Sequence, residues 1–524
     1  MAEQGRLSKS LKNARVAIFF MILTFLINFL SRKFFLDGLG PELMGMRTTL
    51  STVLGMLALS ELGIGLAVNT SLHKPLVDKD YKTINEIVSL LGWLYRWVFA
   101  FITLGIIGLM FYLPTLFEGM TTPILYAYLT LGSSYIGTML SYTVNYKSVI
   151  LNVDQKSYKV SSIMSTAGIV KSLIQLAILR WVPNPYIYWV AMDLGVALLG
   201  VYILDRVTRK EYPWLELSLG RGREYLRRYP EVIRNTKQLS VRQLATFALS
   251  NTTPWFVFKY VGLTSVTFYD NYRNIIANVR AIYYSAFTNI GPATANLIAE
   301  GDQEKAYKAF WEMYALKQFI SGVLMFGIFT FATPFVGVWL GEQYQASALT
   351  LALFCLISHL DLNRGVIESY TIGYKLFADV WAPLVEGGLM ILFAILLGST
   401  YGLNGLLLGT LLSQAGIHLL WRPYYLYTKG FERSPWLFFS NAPKFYLATI
   451  SLIGLSQLAL QQLDLKLDGY IPIFSHAAWT TLLFATSLGT AYYLLSEGFR
   501  KVSLRLCNFA ASSLQGVRNK LKKS

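Results

Sequence analysis

Apolar runs of about 18 residues or more recur along nearly the whole 524-residue chain, and this feature decides its class. Backbone amides have no water to bond to in hydrocarbon, so runs of this length predict spanning α-helices. Composition agrees, at 54% hydrophobic, 14% charged and a mean hydropathy of +0.44. The expected fold is an all-α polytopic membrane protein, and a soluble core is excluded. Spans are predicted over 14–35, 42–69, 87–113, 122–147, 159–181, 185–206, 239–261, 268–298, 310–340, 346–373, 378–399, 402–427, 441–462 and 471–495. An even number of crossings, about fourteen, returns the C-terminus to the side of the N-terminus.

The net charge of +17 would suggest nucleic acid in a soluble chain. Here roughly 34 of the Lys and Arg residues fall on one side of the predicted membrane, about five on the other and about seven within spans. This is the positive-inside pattern, and no nucleic-acid motif accompanies it. Arg6, Lys9, Lys12 and Arg15 precede the first apolar run, which no small-residue cleavage site closes. An uncleaved first span with a cytoplasmic N-terminus, and hence a cytoplasmic C-terminus, is expected. Cys355 and Cys507 are far apart and imply no disulfide framework.

The longest break between spans, from Arg206 to Ser240, is Arg-rich and follows the sixth helix. It divides the chain into an N-terminal six-helix lobe (1–206), a basic cytoplasmic linker (207–238) and a second six-helix lobe (239–430). Two additional helices (431–497) and a basic amphipathic cytoplasmic tail (498–524) follow. The linker is read as a topology determinant and lipid anchor, the tail as an interfacial helix on anionic lipid. The halves show ordered likeness. Gly40 parallels Gly262, SELGIGLA from Ser60 parallels TNIGPATA from Thr288, and Asn28 parallels Asn251. VDKDYKTI and GDQEKAYKAF then lead into the next spans. This is the pattern of a duplicated six-helix unit.

Charge inside spans marks the candidate sites, because a charge facing lipid costs roughly 2.5 to 3.5 kcal/mol even on the gentlest scale. On a continuous helix Arg47 and Glu61 fall about 40° apart on one face, near Ser51, Ala58 and Gly65. Arg273 and Arg280 lie about 20° apart and about 10 Å along the axis, with Tyr284 and Gly291 continuing the face. Paired guanidiniums suit a pyrophosphate, since Arg binds phosphate bidentately. Arg47 is their counterpart in the first half, and Lys171, with Gln175 one turn on, is a further candidate. Asp361, Arg364 and Glu368 form a triad with one carboxylate in excess, able to take a proton or sodium ion, as is Glu61. Arg96 and Lys317 read as snorkelling or aromatic-stacked cations. His73, His359, His418 and His476 stand singly, and no catalytic, ATP-binding, cofactor or metal spacing appears, so no enzyme activity, cofactor or metal is expected.

The run ending in Asn28, LDGLGPELMGMRTTLSTVLGMLALSELGIGLA, the DKDYKTI linker and the span count together resemble the polysaccharide-repeat flippases, often called Wzx type. These belong to the multidrug/oligosaccharidyl-lipid/polysaccharide exporter superfamily. The resemblance implies two lobes around a central cavity in the bacterial cytoplasmic (inner) membrane. It also implies alternating access and an undecaprenyl-pyrophosphate-linked glycan as cargo, delivered to a polysaccharide polymerase and chain-length machinery. Arg47, Arg273, Arg280 and Lys171 are then the expected pyrophosphate-binding residues. A lipid II flippase for peptidoglycan and a drug or cation antiporter of the same fold are the alternatives.

Overall fold

The computed structural model describes residues 2–61, 63–237, 240, 252–287, 290–376, 378–379, 381–463 and 465–508. No strand occurs among them, and the protein is an all-α polytopic membrane protein. Its principal helices are α1 (Ala2–Leu57), α2 (Ile64–Val77), α3 (Tyr81–Leu116), α4 (Leu125–Thr143), α5 (Ser157–Trp181) and α6 (Pro185–Glu211). Next come α7 (Thr253–Val261), α8 (Leu263–Ala286), α9 (Ile290–Ala299), α10 (Gln303–Leu340) and α11 (Ala348–Gly373). Then α12 (Ala382–Gln414) passes through a π-helical turn, Ala415–Trp421, into α13 (Arg422–Lys429), followed by α14 (Pro443–Gln461) and α15 (Tyr470–Leu495).

Seven helical segments among the described residues are long and apolar enough to cross a membrane, the stretch Ala382–Lys429 being one of them. That stretch covers two of the predicted spans. The chain reverses at Gly402 (φ 56°, ψ −132°), so His418 meets Glu386 across the bend. The first predicted span and the first part of the second are likewise one run, α1, broken at Gly40 (φ 80°, ψ 168°) before Pro41. The Arg47 guanidinium lies 5.9 Å from the Phe35 ring, whereas twelve residues of straight helix would separate them by about 18 Å. Most of the seventh predicted span, with Asn251, lies outside the described residues, as do Thr288 and the tail beyond Asn508.

The internal likeness has a structural counterpart. Gly262, between α7 and α8, has φ 108° and ψ 172°, close to Gly40 and in a region essentially closed to other residues. Asp80 caps α3 by accepting from Thr83 N at 3.0 Å, and Asp302 caps α10 by accepting from Lys305 N at 2.9 Å. The two capped helices are the 36 residues of α3 and the 38 of α10. Both outrun a hydrocarbon core of about 30 Å, since they measure about 54 and 57 Å.

The helix predicted over 42–69 is not continuous. It ends at Leu57, tightens into a 3₁₀ turn over Ala58–Glu61 and restarts at Ile64. A 3₁₀ turn advances about 120° per residue instead of 100°, so Arg47 and Glu61 do not share the face computed for them.

Contacts divide the chain into two compact units, Met1–Thr267 and Phe268–Ser524. The division falls within α8, beyond the basic linker. The start of α8 belongs with the first unit because Thr267 Oγ1 donates to the Pro41 carbonyl at 2.7 Å. The linker packs onto the Asp80 end of α3. Glu86 accepts from Arg228 and, at 2.7 Å, from Tyr229, while Ser218 N donates to Ser89 Oγ at 2.9 Å. The linker thus makes tertiary contacts of its own, which its charge pattern did not suggest. In the second unit α14 and α15 join the core of α10. Phe326 stacks on Phe484 with centroids 4.2 Å apart, Tyr314 meets Phe445 edge-on, and Thr449 bonds Tyr492 at 2.7 Å. Ring pairs like these contribute about 0.5–1.5 kcal/mol each beyond burial.

Candidate substrate and ion sites

In the first unit the Gly40 reversal turns the second leg of α1 toward α5 and α6. Arg47 Nη2 lies 2.7 Å from Asp193 Oδ2, and Lys171 Nζ lies 3.0 Å from Asp193 Oδ1. Gln175, one turn after Lys171, donates to Asp193 Oδ1 and to the Trp189 carbonyl, both at 3.0 Å. The Asp193 side chain is 15% exposed, so its charge needs these partners, and two cations against one carboxylate leave the cluster at +1. Arg47 and Lys171, read separately from sequence, are thus brought together by an acid that reading overlooked. Its signal was present: Asp193 is a lone carboxylate in the apolar run YIYWVAMDLGVALLG.

Glu61 stands apart from this cluster and accepts from Tyr95 OH at 2.8 Å.

In the second unit Arg280, on α8, pairs with the deeply buried Asp361 of α11. Tyr284 OH, one turn along α8, donates to Asp361 Oδ2 at 2.8 Å. Arg364 Nε lies 3.2 Å from Asp361 Oδ1 and 3.8 Å from Glu368 Oε1, and Arg422 reaches Glu368 at 3.5 Å. Within α11 alone the triad has a surplus carboxylate, and the tertiary contacts reverse that count. Arg280 and Arg422 arrive from other helices, so three arginines face two acids and the network carries +1.

Arg273 is not stacked with Arg280 as a free cationic stripe. It reaches Asp270 of its own helix at 3.5 Å and is 38% exposed, while Arg280 turns to α11. Lys317 is buried, its Nζ 5.2 Å from the Tyr283 ring centroid and 5.3 Å from that of Phe287, which is an aromatic cage instead of snorkelling. His418 does not stand singly, because its Nε2 is 3.0 Å from Glu386 Oε1 and both side chains are buried. Arg422 and Glu386 were missed from sequence, and His418 was read as standing alone. Each is a lone polar residue in an apolar stretch whose partner is distant in sequence. Among the described residues no group of His, Cys, Asp and Glu is arranged to hold a metal ion.

At the end of α6, beyond the predicted span 185–206, Lys159 and Lys156 bind Glu211 and draw its carboxyl down to about 2. The Tyr229 hydroxyl is pushed up to about 12 by burial and by its bond to Glu86.

No protein-family model and no curated protein sequence matches the chain. Solved structures do. A lipid II flippase, MurJ, in an inward closed conformation superposes with a TM-score of 0.59 at 15% identity, over 91% of this chain and 99% of that one. An inward-facing multidrug resistance MATE family transporter of the MOP superfamily gives 0.54 at 16% identity, over 76% and 93%. The chain has the fold of these transporters. Its likeness to MurJ extends further along the chain than its likeness to the MATE protein.

Proposed function

We propose that the protein flips an undecaprenyl-pyrophosphate-linked oligosaccharide repeat unit from the cytoplasmic to the periplasmic leaflet of a bacterial inner membrane, for surface polysaccharide assembly. A polymerase and chain-length machinery would consume the product. One observation carries the reading: each unit holds an aspartate clamped by two cations, the partly buried Asp193 by Arg47 and Lys171 and the buried Asp361 by Arg280 and Arg364. A carboxylate held this way occupies the position of a phosphate oxygen. A pyrophosphate can displace it because guanidinium forks bind phosphate bidentately and each cluster already has positive charge in excess. The sugar headgroup cannot cross hydrocarbon unaided, whereas the polyprenyl tail can remain in lipid, so a cationic path removes the main barrier. Arg273, exposed near Asp270, is assigned to an early encounter with the headgroup. No ATP motif is present in the sequence, so a proton or sodium gradient drives the cycle, with Glu61, Asp361, Arg364 and Glu368 as the first coupling candidates.

A second reading, lipid II as cargo, is favoured by the extent of the MurJ likeness. Both cargoes share the polyprenyl pyrophosphate and differ in the glycan. The test uses purified protein in proteoliposomes holding either a fluorescent undecaprenyl-pyrophosphate oligosaccharide or fluorescent lipid II. Flipping of the first alone supports the proposal, and flipping of lipid II alone replaces it. Flipping of neither overturns both.

A further inference from the structure

Glu386 and His418 are the most deeply buried acid–base pair among the described residues, with side chains 1% and 3% exposed and Oε1 to Nε2 at 3.0 Å. The reversal at Gly402 brings them together, and the π-helical turn Ala415–Trp421 aims His418 inward. Such turns are rare and concentrate where a side chain has a task beyond packing. The other ring nitrogen, Nδ1, is buried without a hydrogen-bond partner. His418 lines a small cavity with Tyr314, Asn363, Arg364 and Tyr446, and Asn363 Oδ1 is also buried without a partner. A water needs two to four polar partners, which this lining supplies.

Charged and titratable groups surround the pair on the neighbouring helices: Arg364 interacts electrostatically with Glu386 and Asp361 with His418, and Lys317 of α10 faces Asp361 and Glu368. Asp361, Arg364 and Glu368 come from α11, Arg422 from α13, and the hydroxyls of Tyr314 and Tyr446 from α10 and α14. Arg364 is engaged by Asp361 and Glu368, and Arg422 by Glu368. A carboxylate this buried beside a neutral imidazole makes no ion pair of its own, Arg364 acting on it only at longer range, and a low-dielectric site disfavours such a charge. One proton on either residue cancels it.

We infer that Glu386 and His418 form a proton-binding site, reached through the cavity that Arg364 lines. Taking up one proton changes the pair from −1 to 0, and releasing it restores −1, with no bond to cargo made or broken. With the pair at −1, Arg364 is attracted toward it and away from Asp361. With the pair neutral, Arg364 holds Asp361 as observed, 3.2 Å away. Proton occupancy thereby sets which carboxylate Arg364 neutralises, and so how firmly Asp361 occupies its clamp with Arg280. This rests on the reading of the chain as an ion-coupled transporter.

The test reads proton binding in full-length protein, without cargo, in phosphatidylethanolamine/phosphatidylglycerol nanodiscs. The chain has four histidines, so ¹⁵N-histidine labelling gives few signals, and His418 is assigned by its loss in His418→Asn. Between about pH 5 and 9 the expected result is a one-proton transition. It would appear in the His418 ring shifts or in a protonated-carboxyl infrared band. In Glu386→Gln the band should vanish and the pH dependence of the His418 ring shifts should change. If Glu386→Gln does not fold, His418→Gln read by the infrared band replaces it. Ring shifts and carboxyl band both constant across the range in the wild type would reduce the pair to a structural hydrogen bond and overturn the site. Flipping that ignores an imposed pH gradient, in a protein whose pair does titrate, would overturn the coupled-transporter reading and leave the site standing.

Discussion

The guanidinium of Arg47 meets the carboxylate of Asp193 at 2.7 Å across 146 residues of sequence, and Lys171 meets the other oxygen of the same carboxylate. A partly buried acid with two cations is harder to lose than either cation. Asp193→Ala should destabilise the protein by about 1–3 kcal/mol, because two cations lose their counter-charge, whereas Arg47→Ala leaves Asp193 paired to Lys171 and should cost less. A double-mutant cycle on thermal unfolding in nanodiscs measures the coupling. Additive losses would show that the pair does not interact energetically.

Arg280→Ala should reduce flipping at least about tenfold at unchanged membrane abundance, because Asp361 keeps Arg364 and Tyr284 while one phosphate ligand disappears. Arg280→Lys should recover only part of the rate, since an ammonium lacks the bidentate fork. Export assayed beside immunoblot abundance checks both, and full export by the Ala variant removes Arg280 from the site.

Glu368 bridges Arg364 and Arg422, which makes it the carboxylate best placed to change partners during a cycle. Glu368→Gln should abolish the response of flipping to a proton or sodium gradient while retaining cargo binding, and Arg364→Ala should weaken both. Glu61→Gln and Asp361→Asn are the comparisons in the same proteoliposomes. Wild-type gradient responses in all three acid variants would leave these acids without a coupling role.

Glu211 provides a pH prediction. Its ordinary value of 4.5 falls to about 2 beside Lys159 and Lys156. A lowered folded value means the folded state binds fewer protons between the two values. The stabilisation is therefore complete above about pH 4.5 and is lost as the pH falls toward 2. Glu211→Gln should melt a few degrees below the wild type at neutral pH, and the difference should shrink below pH 4.5. A constant difference down to about pH 3 would mean the ion pairs do not contribute.

Orientation is testable by labelling. Single cysteines at Glu118, Gln343 and Asp468, in a background lacking the exposed Cys507, should react from outside intact cells. Those at Lys156, Arg223 and Lys429 should react only after permeabilisation. Reversed labelling at Arg223 would invert the positive-inside assignment.

What sequence determined by itself is whatever depends on a residue and its near neighbours. Apolar length announces a spanning helix because the backbone must satisfy its own hydrogen bonds in hydrocarbon. Gly40 and Gly262 were legible as matching positions of the two halves and VDKDYKTI and GDQEKAYKAF as linkers, whereas the backbone breaks at those glycines and the caps made by Asp80 and Asp302 appear only in the structure. The Asp361, Arg364 and Glu368 grouping was legible too, being neighbours on one helix. Tertiary structure alone decided the partners. Asp193 collects Arg47 and Lys171 from two other helices, Arg422 reaches Glu368 from α13, and Glu386 finds His418 only because the chain reverses at Gly402. The rotation of one helix against another is set by packing over the whole contact, so no local pattern encodes it. Irregular turns compound this. The 3₁₀ turn Ala58–Glu61 moved Glu61 off the Arg47 face, and the π turn Ala415–Trp421 aimed His418 inward, because each changes the angle per residue on which face arithmetic depends.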